Sequence, residues 1–122
     1  PTESKTDVVV NTKEFLHAID RASLLAREGR NNVVKFSTIE GGAIEVSSNT
    51  PEIGTVVEEI QSQSIDGEDL KISFSAKYMM DALKALEGTE IQISFTGAMR
   101  PFVIRPLHDD SILQLILPVR TY

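Results

Sequence analysis

The sequence predicts an α+β domain in which two helices pack on antiparallel sheets. Three observations support this class: two amphipathic segments that begin with capping residues, several short runs typical of strands, and a repeated order of one strand, one helix and three strands. A chain of 122 residues is long enough for one domain with its own core. We expect a single domain over 1–122, with a linker at 1–6 and repeats at about 7–63 and 69–118.

The first repeat opens with a strand at 7–11 and a helix at about 12–27. Asn11 is a favourable N-cap, and Glu14 stands at the third helical position, as in a capping box. Three strands follow at 33–37, 43–47 and 55–61, separated by turn residues. The apolar stripe of the helix recurs at helical spacing and consists of Phe15, Ala18, Ile19, Ala22 and Ala26.

The second repeat has a strand at 70–74, a helix at 76–87 capped by Ser75, and strands at 90–95, 101–105 and 112–117. Turns are predicted at 66–67, 96–97 and 108–110. A shift of 64 residues overlays the helices, which indicates a duplication with pseudo-twofold geometry, although any two capped amphipathic helices share some likeness. The overlay places Val10 on Phe74, Asn11 on Ser75, Phe15 on Met79, Ala18 on Ala82, Ile19 on Leu83 and Ala22 on Leu86. Short connections favour antiparallel pairing within each repeat.

Charge is unevenly distributed along the chain. The net charge is −6, and the segment between Ile39 and Leu70 contains eight acids and no Lys or Arg. Overall acidity argues against tight, free-standing binding to nucleic acid, which needs a basic surface. The acidic segment is either a solvated strand face or a docking surface for a basic partner.

The outer faces of the two helices leave alternatives open. They carry Lys13, His17, Lys77 and Lys84 among acidic residues, so they form either a solvated surface or a weak, non-specific contact with phosphates. Leu24 stands outside the apolar stripe of the first helix. It marks a contact with another chain or, if the helix bends there, part of the core.

Motifs for catalysis are missing from the sequence. There is no cysteine, no Gly-rich phosphate loop and no nucleophile elbow, and His17 and His108 lie far apart. The turn at 108–110 could bind a metal weakly, but a solvated turn is the simpler interpretation. No apolar run approaches the roughly 20 residues that cross a bilayer. We therefore expect a binding module with no cofactor, no metal and no membrane partner.

The end of the chain is a nearly continuous apolar run, LQLIL, followed by Pro118 and a short polar tail. Such a strand can belong to the core or can form one wall of a groove. The chain before it, which reads as a binding module, favours the groove.

Four stretches carry a family resemblance: FLHAIDRASLL at 15–25, SNTPE at 48–52, YMMDAL at 78–83 and LPVRTY at 117–122. On these the chain resembles the C-terminal domain of bacterial sliding clamps, the beta subunits of DNA polymerase III. The resemblance implies a DNA-clamp fold and a non-enzymatic, cytoplasmic processivity factor. It also implies a longer chain of three domains, which agrees with a start at Pro1, and two chains that close head to tail into a ring around duplex DNA.

The resemblance also implies three surfaces. A hydrophobic pocket for short clamp-binding motifs of polymerases, the clamp loader and repair proteins would be walled by Met99, Pro101, Leu115, Ile116, Leu117, Pro118, Val119 and Arg120, with the remainder supplied by the preceding domain. The ring contact with a second clamp chain would use Leu24, Leu25 and Glu52. The helix face towards double-stranded DNA would carry Lys13, His17, Lys77 and Lys84.

Two alternatives remain open on the sequence. One is a stand-alone peptide-binding domain without a DNA role, which the length of the full chain would distinguish. The other, a metal-dependent hydrolase centred on 108–110, predicts thermal stabilisation by the metal. The resemblance of residues 114–117 to the partner motif itself is interpreted as coincidence.

Overall fold

The computed structural model describes residues 5–24, 33–50, 54–86, 89–97, 99–107 and 112–119. It confirms the predicted class, with two helices and two antiparallel sheets. The strands are β1 Thr6–Asn11, β2 Val33–Ile39, β3 Ala43–Thr50, β4 Gly54–Gln61, β5 Ser64–Gly67, β6 Lys71–Ser75, β7 Glu90–Phe95, β8 Phe102–Pro106 and β9 Gln114–Ile116. The helices are α1 Thr12–Ala22 and α2 Ala76–Ala85.

Both helices begin at the predicted caps. The Asn11 side chain accepts a hydrogen bond from the Glu14 N–H at 2.9 Å, and the Ser75 hydroxyl accepts one from the Tyr78 N–H at 3.3 Å. The buried residues of α1 are Thr12, Phe15, Ala18, Ile19 and Ala22, and those at or just after α2 are Ala76, Met79, Ala82, Leu83 and Leu86. Each of the second set follows its counterpart by 64 residues, so the two helices bury equivalent stripes.

Helix α1 ends before the position predicted for it. Ser23 caps it, and its hydroxyl donates to the Asp20 carbonyl at 3.0 Å. The Ser48 hydroxyl donates to the Ala22 carbonyl, so a strand residue satisfies an acceptor that a longer helix would have used. The predicted stripe residue Ala26 lies outside the described residues. None of the helices in the described part of the chain is long and apolar enough to span a bilayer.

The two repeats exchange their first strands. One sheet has the order β5-β1-β7-β8-β9 and the other β4-β3-β2-β6, all antiparallel. The three strands after each helix pair with one another, as predicted. However, β1 pairs with β7 of the second repeat, and β6 pairs with β2 of the first. Pairing confined within each repeat was therefore wrong for the strand that precedes each helix.

One short strand was missed because its sequence looks like a turn. Residues 66–67 belong to β5, which pairs with β1. Gly67 has φ +119°, and a Cβ there would lie 2.0 Å from the Lys5 carbonyl oxygen, so only glycine fits this close crossing. Thr6 belongs to β1 rather than to the predicted linker, because its hydroxyl donates to the Glu68 carbonyl at 2.8 Å and holds the strand in place.

The core lies between the sheets and helices and is centred on aromatic rings. Phe36 and Phe74 from one sheet and Phe95 and Phe102 from the other form a closed cycle of ring contacts, with centroids 4.8–6.4 Å apart. Phe15 of α1 meets Phe36 edge-on at 5.8 Å. These rings join both sheets to the helix layer, since apolar burial is the main stabilising term.

Candidate interaction surfaces

The described surface carries eight large exposed hydrophobic side chains, and four of them fall within the six residues 112–117. They are Leu24, Val57, Tyr78, Met99, Ile112, Leu113, Leu115 and Leu117. A concentration of this kind at one end of a sheet is unusual unless something covers it. The apolar end of the chain is therefore partly core and partly surface.

Strand β9 alternates between these two environments. Leu115 and Leu117 are 58% and 66% exposed, whereas Ile116 between them is 6% exposed and belongs to the core. Successive side chains of a strand point to opposite faces, which explains the pattern. Ile116 was predicted as a wall of the pocket; its side chain packs largely inside the domain, and its part in the pocket stays a prediction.

The other predicted docking residues gather around Leu117. Because Phe102 pairs with Ile116 in an antiparallel register, the loop before β8, with exposed Met99 and Pro101, lies beside the end of β9. Pro118 and Val119 continue from that end and are half-buried. We call these exposed and half-buried residues, Met99, Pro101, Leu115, Leu117, Pro118 and Val119, the docking face. Arg120 lies outside the described residues.

Tyr78 is an exposed side chain next to the docking face that the sequence reasoning did not assign. It is 69% exposed in the first turn of α2, and this helix packs against β9. Phe74, four residues earlier in strand β6, pairs with Pro118. An aromatic residue outside a buried helical stripe was the signal that could have identified it, because tyrosine combines a large apolar ring with a hydroxyl.

A cleft of about 270 Å³ opens at the same end of the β5-containing sheet, and it is polar. It shares the β7–β8 loop with the docking face through Gly97. Its lining consists of Lys5, Thr6, Glu68, Asp69, Leu70, Lys71 and Gly97. None of the residues predicted for the docking face lines it.

Two more of the exposed apolar residues lie after the end of α1 and on strand β4. Leu24 is 52% exposed, as is Val57 on β4. Helix α1 packs against β4, and Arg21 Nε lies 2.8 Å from Glu58 Oε1. β4 forms one edge of its sheet. We call Leu24 and the unpaired edge of β4 the edge face, whereas Val57 lies on the side of β4 opposite to Glu58. The predicted Leu25 and Glu52 lie outside the described residues.

The acidic segment is divided between the two sheets, with Glu45, Glu58 and Glu59 in β3 and β4 and Asp66 in β5. Glu45 and Glu59 stand directly opposite each other in the β3–β4 register. Like charges in such a pair disfavour the sheet. The Glu45–Glu59 pair therefore costs folding stability, and a basic partner would relieve the repulsion.

The residues predicted to face DNA lie on the outer sides of two helices that pack side by side. Lys13 and His17 on α1 and Lys77 and Lys84 on α2 are all exposed. Exposed Asp81 lies among them, so this helix face is mixed in charge rather than strongly basic.

Within the described ranges, no group of three or more His, Cys, Asp or Glu side chains converges on a point where a metal could bind. The predicted weak metal site at 108–110 lies outside those ranges.

The fold and these surfaces define a class: an α+β domain with two helices, two antiparallel sheets and separate exposed apolar residues at two places on its surface. The chain belongs to the family formed by the C-terminal domain of the DNA polymerase III beta subunit, whose model matches residues 1–120. The beta sliding clamp of Bacillus subtilis is 70% identical over all 122 residues, which make up 32% of that relative. The chain thus spans about a third of the length of the curated relatives that it matches.

Solved structures agree with this assignment. The crystal structure of the B. subtilis clamp matches with a TM-score of 0.94, covering 100% of this chain and 32% of that one. The sliding clamp of Bartonella birtlesii, solved bound to griselimycin, is 27% identical with a TM-score of 0.90 and covers 99% of this chain and 32% of that one.

Proposed function

We propose that this chain is the C-terminal domain of a replication sliding clamp and acts by binding rather than by catalysis. In this proposal the docking face receives short motifs of polymerases, the clamp loader and repair proteins. The edge face closes the ring with a second clamp chain, and the outer helix faces look onto the enclosed DNA. A role beside chromosomal DNA places the protein in the cytoplasm.

The alternation at β9 is the observation that carries the docking proposal. Leu115 and Leu117 project outward while Ile116 anchors the strand from beneath. The exposed pair can be covered by a partner without disturbing the core. Apolar anchors seated beside an extended strand are a common mode of peptide recognition, since the backbone aligns the peptide and side-chain contacts select it.

The docking proposal is tested in a chimera in which this chain replaces the C-terminal third of the B. subtilis clamp. A fluorescein-labelled peptide that carries a clamp-binding motif of a DNA polymerase is titrated by fluorescence polarisation, and griselimycin serves as competitor. The double substitution Leu115→Ser and Leu117→Ser should weaken binding about tenfold or more, the scale of losing central apolar contacts. Val57→Ser, which alters a similarly exposed apolar residue on β4, is the matched control and should bind normally.

Equal affinity of the serine double variant and the parent chimera contradicts the docking proposal. So does an equal loss in the Val57→Ser control, because binding would then depend on general surface hydrophobicity.

The ring proposal predicts a different outcome at the edge face. Leu24→Glu places a charge at an exposed apolar position beside an already acidic sheet, so it should shift the chimera from dimer to monomer in sedimentation. Tyr78→Glu, an equally drastic change near the docking face, should leave the dimer intact. If the Leu24→Glu chimera sediments as the parent does, the edge face is not part of the ring contact.

The enclosure of DNA is tested by comparing retention of the protein on circular and linear DNA, rather than by measuring binding affinity. The chimera, loaded by the B. subtilis clamp loader, should stay on nicked circular duplex and be released when the circle is cut. Replacing Lys13 and Lys77 by serine should change this retention little, because a ring holds DNA without tight phosphate contacts. Equal retention on linear and circular DNA contradicts the proposal.

A further inference from the structure

The last described residues cross from one sheet to the other. β9 pairs with β8 in the β5-containing sheet, but Pro118 pairs with Phe74 of β6, and the Val119 N–H donates to the Ser73 carbonyl at 2.8 Å. β6 has β2 on its other side, so these residues occupy its open side. We call Leu117–Val119 the strap.

The strap is attached by a short pairing. Its contact with β6 is an isolated bridge rather than a strand, and Pro118 has no N–H to donate. By comparison, β3 and β4 are paired over their whole length. Release of the strap from β6 is therefore a local event that leaves the sheets paired, as is typical of the least stable parts of a fold.

The strap touches β6 just before a helix begins. Ser73 and Phe74 lead directly into Ser75, which caps α2 by accepting from the Tyr78 N–H. Ser73 is 7% exposed, although Lys71, which shares its side of the strand, is exposed. Phe74 is fully buried between Phe36 and Phe102. A change at the strap thus acts on the backbone two residues before a helix cap.

We propose that the strap couples the docking face to the first turn of α2. An occupant of the docking face contacts Leu117 and Pro118, so it favours the arrangement in which the strap lies on β6. That arrangement in turn orders the start of α2, which carries Tyr78 and Lys77. This inference rests on the proposed docking function, and by linkage any contact that orders the start of α2 strengthens docking equally.

The first test needs no ligand. Val119→Pro removes the donor to Ser73, whereas Val119→Ala retains it. Hydrogen exchange followed by mass spectrometry on the 122-residue chain should show exchange at 72–78 about fivefold faster in Val119→Pro, the effect of losing one backbone hydrogen bond. Val119→Ala should match the parent. The equivalent start of α1, capped by Asn11, is the internal control and should not change in either variant.

The second test uses the chimera with the labelled peptide or griselimycin at saturation. With each chimera saturated, as fluorescence polarisation verifies, ligand should slow exchange at 72–78 in the parent but not in Val119→Pro. Equal slowing in Val119→Pro, or unchanged exchange at 72–78 in its ligand-free form, overturns the coupling while leaving the docking proposal intact. Failure of the parent chimera to bind either ligand overturns both.

Discussion

Replacing Ile116 by alanine and, separately, Leu117 by alanine separates the structural from the binding role of the last strand. The two residues are neighbours in sequence and both are aliphatic. Ile116 is 6% exposed and pairs with Phe102 in the core, whereas Leu117 is 66% exposed on the docking face. The two substitutions should therefore affect different properties of the protein.

The expected magnitudes follow from burial. Ile116→Ala deletes three buried carbon atoms, each worth about 0.8 kcal/mol, and a three-residue edge strand can relax around part of the cavity. A loss of about 2–3 kcal/mol in the free energy of unfolding is expected. For comparison, the total free energy of unfolding of a domain of this length is about 6–18 kcal/mol at typical stability per residue. Leu117→Ala should change stability by no more than about 0.5 kcal/mol, as for most surface substitutions.

Urea unfolding followed by circular dichroism measures both variants, and an unchanged m-value verifies that the transition is comparable. In the chimera, Leu117→Ala should weaken peptide binding, while Ile116→Ala should retain it at temperatures where the protein is folded. A loss below about 1 kcal/mol in Ile116→Ala, or similar losses in the two variants, refutes the assignment of these side chains to core and surface.

Two further stability predictions follow from backbone contacts. Gly67→Ala should destabilise the domain by more than about 2 kcal/mol, because its Cβ would collide with the Lys5 carbonyl. Gly54→Ala is the control, because Gly54 has a similar φ of +121° but open space around it. The difference in urea midpoint between the two variants measures the effect of the collision alone. Thr38→Val should lower the free energy of unfolding by about 1–3 kcal/mol, because the buried Leu70 N–H would lose the hydroxyl that accepts its hydrogen bond at 2.8 Å. Thr38→Ser keeps a hydroxyl and should be less destabilising. Equal melting temperatures for these two variants would contradict that reason.

Local signals in the sequence were sufficient to predict the helices and most strands. Asn11 and Ser75 fix the helix starts because a capping side chain acts within three residues of its own position. The buried stripes follow from spacing alone. The end of the chain shows the limit of such reasoning: in an apolar run, the period of a strand does not say which residues face the core until the neighbouring strand is known.

The exchange of first strands and the strap could not have been read from local patterns. Nothing within 6–11 or 71–75 indicates which repeat each strand will join, because the pairing depends on contacts distant in sequence. Likewise, Val119 gives no sign that its N–H will bond to Ser73. The docking, ring and DNA-facing residues came from the family resemblance, and all of them remain predictions. Leu25, Glu52 and Arg120 also lie outside the described residues.

The exchange of β1 and β6 has a consequence for how the domain can be divided. The first half of the chain contributes β2, β3 and β4 to one sheet, which β6 of the second half completes. The second half contributes β7, β8 and β9 to the other sheet, which β1 of the first half extends. A nick in the backbone at 62–63 should therefore yield two fragments that reassociate, rather than two independent miniature proteins. A lone half should complete its sheet with the equivalent strand of a second copy of itself, as a strand-swapped homodimer.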